Sequence, residues 1–296
     1  VTLRLLAPAK INLGLAIPGK RDDGYHEIVT PMHAVGLYDT LVATPAAVPA
    51  LTVDAPDLAG ESNLVWRALQ TWADATGHPA RLAIALAKRI PAAAGLGGAS
   101  SDAAATLALA RAADSAAAAG IDLPALAATL GSDVPFFLDG PAAIATGRGE
   151  RLQPVAAKRD LWCVLVTPAI DIPRKTATLY GLLTPADFRP AATAADAIAS
   201  IGGQGLPAAD ALANAFERPL LAAYPDLAAV PAALRASGAT VVALSGAGPT
   251  WYALTDDPAS ARAIADGAVA RVRNATVHVA PLLVTMPIIT DDPAYE

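Results

Sequence analysis

Apolar residues follow a β-type pattern at residues 3–6 and 11–17, which predicts two strands, and Lys20-Arg21-Asp22-Asp23-Gly24 reads as the exposed turn that follows them. Short strands are expected at 41–44 and 51–53. Between 63 and 76 the period changes. Leu64, Val65, Leu69 and Trp72 fall on one stripe, Ser62 or Asn63 can cap the start, and Gly77 can end it, so a helix is expected. A strand at 82–86 leads to Pro91 and then to an alanine-leucine helix reaching about residue 113. A helix over 124–130, a hairpin over 144–155 turning at Gly147-Arg148-Gly149, and a buried strand at 161–166 complete the first half.

Beyond residue 170 the texture changes. Residues 185–210 are rich in Ala, Pro and Gly without a strong apolar period and predict a loop. Helices near 207–216 and 226–236 follow, then strands at 240–244 and 251–254, a helix over 258–270 and a strand at 276–279. That order, helices among antiparallel strands, predicts a small α+β unit. A boundary near 160 divides the chain into 1–160 and 161–296.

Composition narrows the options. Hydrophobic residues make up 54% of 296, but 74 are alanine, leaving about 29% of larger apolar residues, enough for a core. The best membrane candidate, 279–289, is too short and holds prolines, and the amino terminus lacks a basic segment followed by a long apolar one. A cytoplasmic protein is expected. The formal charge of −6 argues against a nucleic-acid footprint and leaves room for a small anion held locally. One cysteine, Cys163, excludes an internal disulfide, and four histidines without ligand spacing predict no protein-held metal. A Mg²⁺ carried by a nucleotide needs only one or two protein oxygens.

The strongest chemical signal is Pro91-Ala92-Ala93-Ala94-Gly95-Leu96-Gly97-Gly98-Ala99-Ser100-Ser101. Its glycines permit positive φ and close approach of a ligand, and the following helix aims free N–H groups and its dipole at whatever sits there. No Lys-Ser/Thr pair follows, so this is not a Walker loop, and Ser100 holds the third glycine position of GxGxxG. Phosphate binding and plain close packing are both open readings. Lys10 and Asn12, two apart on a strand, share a face that is either inward or a solvent edge. Asp133, ahead of Val134-Pro135-Phe136-Phe137, is either a helix cap or a general base. Tyr25-His26 is either a half-buried turn or a stacking platform. Ser245-Gly246-Ala247-Gly248-Pro249-Thr250 is either an anion-binding turn or a hairpin connection.

Taken in order, the Pro8-Ala9-Lys10 segment, the 91–101 loop and the glycine turn near 246 resemble the marks of the GHMP kinases, spanning residues 8 to 250. Pro8-Ala9-Lys10-Ile11-Asn12-Leu13, Arg21-Asp22-Asp23-Gly24-Tyr25-His26-Glu27 and Gly131-Ser132-Asp133-Val134-Pro135-Phe136-Phe137 resemble the branch whose acceptor is a cytidine-diphosphate sugar alcohol. Homoserine- and mevalonate-type kinases of the family, and a silent nucleotide-binding protein on the same fold, are the alternatives. Three departures stand out: Ala99 for a glycine, Met32 for an aromatic, and Ser245-Gly246-Ala247-Gly248 for a turn richer in hydroxyls.

The resemblance implies an α+β fold, with a ribosomal-protein-S5-domain-2-like amino-terminal domain and a ferredoxin-like carboxy-terminal one. It implies ATP as co-substrate, Mg²⁺ carried with it, and a step of isoprenoid precursor synthesis outside the mevalonate route. It further implies Lys10 and Asp133 as the catalytic pair and residues 91–101 as the ATP-phosphate loop. Asn12, Tyr25 and His26 would contact the acceptor near its cytidine end, with Tyr180 stacking on the base from the other side.

Overall fold

In a computed structural model, the described residues are 1–189, 195–197 and 205–292; part of the 185–210 stretch therefore lies outside the description. The amino-terminal sheet is built on one long strand. Strand β1 (Leu3–Asn12) runs antiparallel to β3 (His26–Pro45), with the register shifting between Pro8 and Ala9, and β2 (Ala16–Lys20) pairs the start of β3. On its other edge, β3 pairs β5 (Leu82–Ala87) over Thr40–Pro45 and β6 (Ala142–Gly147) over Ile28–His33. Strand β4 (Ala50–Val53) lies parallel to β5, and β7 (Arg151–Pro154) forms the expected hairpin with β6.

Helix α1 (Leu64–Thr76) starts where the sequence places it. The Asn63 side chain accepts from Val65 N–H at 2.8 Å, and Gly77 ends the helix at φ +72°. With α2 (Gly98–Ala113) and α3 (Leu123–Leu130) it buries Val65, Leu69, Trp72, Leu107 and Leu109 against one face of the sheet. A short helix, α4 (Phe136–Asp139), closes that layer.

The carboxy-terminal sheet has the order β11-β8-β10-β9, formed by β8 (Trp162–Pro168), β9 (Val241–Leu244), β10 (Trp251–Thr255) and β11 (Ala275–Pro281), all neighbours antiparallel. Helices α5 (Lys175–Gly181), α6 (Glu217–Ala223) and α7 (Ala229–Ala236) lie between β8 and β9, and α8 (Pro258–Arg271) links β10 to β11. This is the β-α-β-β-α-β plan of a ferredoxin-like sheet. The two sheets face each other through a shared core of Ala9, Ile11, Val35, Leu96, Cys163, Leu165 and Tyr252. The chain then returns to the first sheet, where β12 (Thr290–Asp291) pairs β1.

Three segments differ from the sequence reading. Residues 3–6 and 11–17 are not two separate strands: β1 is continuous to Asn12, and the break falls at Gly14 (φ +88°), where a Cβ would lie 2.8 Å from the Ala211 carbonyl. The strand expected at 41–44 is the end of the 20-residue β3, whose middle is buried on both faces and so shows no alternation. Residues 207–216 form a single 3₁₀ turn, Ala209–Leu212, and the helix begins only at Glu217. Asn214 explains this: its amide donates to the Leu244 and Gly246 carbonyls while its oxygen accepts from Phe216 N–H, an alternative to helical pairing.

The start of α2 is seated by a buried charge cluster. Lys88 donates to Asp39 at 2.5 Å and to Asp102 at 2.7 Å, and Asp39 also accepts the backbone N–H groups of Arg89 and Ile90. One ammonium thus serves two carboxylates. Asp39 has more donors, while Asp102 Oδ1 is buried without a partner. Burial, with the Asp39 charge adding to it, pushes the Asp102 carboxyl up to about 7.

Because this value lies above that of the unfolded chain, the wild type should lose stability as pH rises from about 4 to about 7 and level off beyond. Asp102→Asn, which cannot ionise, should gain about 1–3 kcal/mol relative to wild type across that window. Denaturant midpoints of both proteins at stepped pH measure this. A difference that does not change with pH would contradict the assignment.

Candidate active site

Lys10 lies near the end of β1 and is only 4% exposed, so its face is the inward one. Its backbone N–H donates to Leu96 O at 2.9 Å, which fastens β1 to the 91–101 loop. A buried ammonium needs partners, since desolvation of a charge is costly. Lys10 Nζ donates to Asn12 Oδ1 at 2.6 Å and sits 3.4 Å from Asp133 Oδ2. The Asn12 amide is oriented in turn: its Nδ2 donates to Thr30 Oγ1 at 2.9 Å, and Thr30 donates to Gly14 O at 2.7 Å. Asn12 borders the cavity described below with both ends of its amide engaged inside the protein.

Asp133 stands in the turn between α3 and α4. The residue at the start of α4 is Pro135, and no side chain caps it, so Asp133 is not a helix cap. Its side chain is 35% exposed, against 46% for Asp23 on the solvated turn. Lys10 and Asp133, far apart in sequence, form one ion pair.

Two cavities meet at Asp133, and Lys10 borders the first of them. One, of about 720 Å³, is bordered by Lys10, Asn12, Tyr25, His26 and Tyr180. The other, of about 910 Å³, is bordered by residues 91–95 and 97–100 of the glycine-rich loop. Asp133, Gly95, Gly97, Lys175 and Thr176 border both. Leu96 points into the core, and Ser101 is buried toward Leu5 and Phe137, away from the second cavity.

The glycines carry two duties. Gly97 precedes α2 at φ +73°, and a Cβ there would lie 2.9 Å from both Lys10 Cγ and Phe137 Cζ. Gly95, at φ +82°, leaves space for the carbonyls of Ser245 and Gly248. The segment 245–250 is the hairpin connection between β9 and β10, packed on the loop: Ser245 Oγ donates to Gly95 O at 3.0 Å, and Thr250 N–H to Ala94 O at 3.3 Å. Gly246 and Ala247 border the first cavity. Ala99 is helical, so the missing glycine there imposes no strain. Met32 lies in the core under the helices and does not border either cavity.

On the wall of the first cavity, His26 stacks on Tyr180 with centroids 4.8 Å apart and planes 20° apart. Phe216 meets Tyr180 edge-on at 4.9 Å. Tyr25 is exposed, with the Arg148 guanidinium 5.0 Å over its ring. Burial, and secondarily Lys20, hold the His26 imidazole below its usual range, which leaves a neutral ring with one donor and one acceptor. Among the described residues, no group of three or more His, Cys, Asp or Glu side chains could hold a metal ion, and no helix is long and apolar enough to cross a membrane.

Lys88, Asp102 and Lys175 border the second cavity, and sequence reasoning missed all three as site residues. Lys175 had no signal beyond its place five residues before Tyr180. Lys88 and Asp102 flank the glycine loop on either side, a placement that hints at proximity.

The chain is similar to known proteins along most of its length. Residues 63–141 match the GHMP kinases N terminal domain, and residues 194–274 match the GHMP kinases C terminal domain. A 4-diphosphocytidyl-2-C-methyl-D-erythritol kinase of Thermus thermophilus is 39% identical over 88% of this chain and 90% of its own. Its counterpart in Salinibacter ruber is 40% identical over 87% and 91%. A crystal structure of 4-(cytidine 5′-diphospho)-2C-methyl-D-erythritol kinase superposes with a TM-score of 0.79 and 38% identity, covering 94% of this chain and 99% of that one. A homoserine kinase from Cytophaga hutchinsonii, at 17% identity and a TM-score of 0.71, shares the fold. With both family regions matched in order around a paired-sheet α+β architecture, the chain belongs to the GHMP kinase family.

Proposed function

We propose that this protein transfers the γ-phosphoryl group of ATP to the 2-hydroxyl of 4-diphosphocytidyl-2-C-methyl-D-erythritol, in the non-mevalonate route to isoprenoid precursors. The observation that carries the reading is the meeting of two cavities at Asp133, whose carboxylate lies 3.4 Å from the Lys10 ammonium on the wall of the first. ATP would lie along residues 91–101, its phosphates facing the unpaired N–H groups that open α2. The acceptor would fill the other cavity, its cytosine among Tyr25, His26 and Tyr180, where stacking faces and a neutral imidazole are available. The same reading divides the chain at residue 160 into an amino-terminal unit carrying the loop and a carboxy-terminal ferredoxin-like unit.

Phosphoryl transfer depends chiefly on position and charge stabilisation. The acceptor is a tertiary alcohol, hindered and weakly acidic, so a nearby carboxylate is useful. Asp133 would take its proton as the oxygen attacks the γ-phosphorus. Lys10, fixed by Asn12, would stabilise the developing alkoxide. Magnesium would arrive bound to ATP; the Ser100 hydroxyl is an oxygen on the cavity wall that suits it.

ADP release measured with ATP and a panel of acceptors tests the reading directly. Turnover should require the cytidine-diphosphate methylerythritol; homoserine or mevalonate turning over instead would overturn it. Asp133→Asn should lower kcat by about 10²–10⁴-fold with little change in either substrate's affinity. Lys10→Met should cost a similar factor, and the double variant should lose far less than the product of the singles. A near wild-type single-turnover rate in Asp133→Asn would remove the base from the mechanism.

Tyr180→Ala should weaken acceptor binding by about 10- to 100-fold while the KM for ATP stays unchanged, since stacking on a base is worth about 1–3 kcal/mol. Equal loss for both substrates would show that Tyr180 supports the fold rather than the base.

A further inference from the structure

The glycine-rich loop lacks the lysine that a Walker loop carries, yet an ammonium stands at its mouth. Lys175, the first residue of α5, reaches it from the other half of the chain. Its Nζ donates to Ala93 O at 2.6 Å and also to Gly248 O. The first carbonyl belongs to the loop and the second to the 245–250 turn, so one side chain joins both. Ala93 is held at φ +52°, a left-handed conformation uncommon outside glycine. Such local strain persists only where surrounding contacts over-determine it.

The charge at this place is not balanced by a carboxylate. Among the described residues, no Asp or Glu forms an ion pair with Lys175, and the nearby Asp133 is paired with Lys10. Two neutral carbonyl oxygens take two of the three ammonium N–H groups and leave one. Burial, together with the positive charge of Lys10, lowers the Lys175 value to about 8. A half-buried ammonium that feels the positive charge of a second one is stabilised when an anion arrives near both. Lys175 also borders both cavities, next to Asp133, Gly95 and Gly97.

We propose that Lys175 is a catalytic residue that binds the γ-phosphoryl group as it passes from the nucleotide cavity to the acceptor cavity, with its side chain fixed by the carbonyls of Ala93 and Gly248. This rests on the functional reading above for the direction of transfer, but not for the binding of a terminal phosphate. A point charge on a flexible stem suits this task, because it can follow the phosphoryl group while two carbonyls limit its range. The role that a Walker lysine fills from within the loop is here filled from α5.

The test separates a γ-phosphate contact from a merely structural tie. Calorimetry with full-length wild type and Lys175→Met would measure magnesium-bound ADP and the β,γ-imido analogue of ATP. The analogue should bind about 10- to 100-fold more weakly to the variant, the loss expected for one charge-assisted hydrogen bond, while ADP affinity changes less than about threefold. With the methylerythritol acceptor, kcat should fall by a comparable or larger factor, and Lys175→Arg should restore part of it. If Lys175→Met does not fold, Lys175→Gln, which keeps N–H donors for the carbonyls but no charge, allows the same comparison. Equal weakening of ADP and the analogue, or none, would overturn the proposal even in an enzyme that turns over its acceptor. Wild type that discriminates γ-phosphate through Lys175 but does not turn over that acceptor would overturn the functional reading and leave this one standing.

Discussion

Burying the Lys10 ammonium imposes conditions on both halves of the chain. An ion at 4% exposure has lost nearly all its water, and each partner it gains must itself be held in place. Asn12 accepts from it only because Thr30 fixes the amide, and the Asn12 backbone is pinned from the second sheet. The buried Tyr252 hydroxyl donates to Asn12 O at 2.9 Å, and Asn12 N–H reaches Ser245 Oγ at 3.4 Å. A lysine carried by the first sheet is thus positioned by residues of the second. The shared core of mostly small and branched side chains between the sheets, Ala9, Ile11, Val35 and Leu165 among them, allows that approach.

The glycines of the loop follow from the same constraint. Gly97 has no side chain because Lys10 and Phe137 occupy the space, and Gly95 has none because the 245–250 turn does. Close packing and an open phosphate cradle are therefore not rival explanations here. The packing brings the loop onto Lys10 and the turn, and the same backbone leaves residues 97–100, where α2 opens, on the wall of the second cavity. A β-branched residue at Gly97 would displace Lys10 as well as crowd a phosphate, so its effects on binding and on chemistry would come together.

Local periodicity made much of the fold legible. Asn63 as cap and Gly77 as terminator, the β6–β7 hairpin, α2 and the strands around the 245–250 turn all lie within a few residues of their sequence-derived positions. The misreadings came from distance. The length of β3 is hidden because its middle is covered on both faces, and the 3₁₀ turn at 209–212 is set by Asn214 reaching carbonyls some 30 residues away. In the candidate site, Lys10, Asp133 and the loop carried recognisable segments. Lys88, Asp102 and Lys175 did not, because their meaning lies in partners such as Asp39 and Gly248 that no short pattern contains.

Net charge is a poor guide to what such a molecule attracts. The chain carries −6, yet among the described residues the first cavity is bordered by Lys10, Lys20, Arg148 and Lys175 against the one carboxylate of Asp133. In a concave, partly dry site, those charges act at shorter range and lower screening than the acidic residues spread over the outside. The second cavity is more evenly matched, with Lys88, Arg174 and Lys175 facing Asp57, Asp102 and Asp133. Burial that keeps the Asp102 carboxyl neutral into the physiological range removes one of those negative charges when pH is below about 7. Where the two cavities join, Lys175 stands on both walls and Lys10 on the first, with Asp133 as the carboxylate between them. A group transferred between two anionic substrates needs its strongest positive field at that junction rather than at either end.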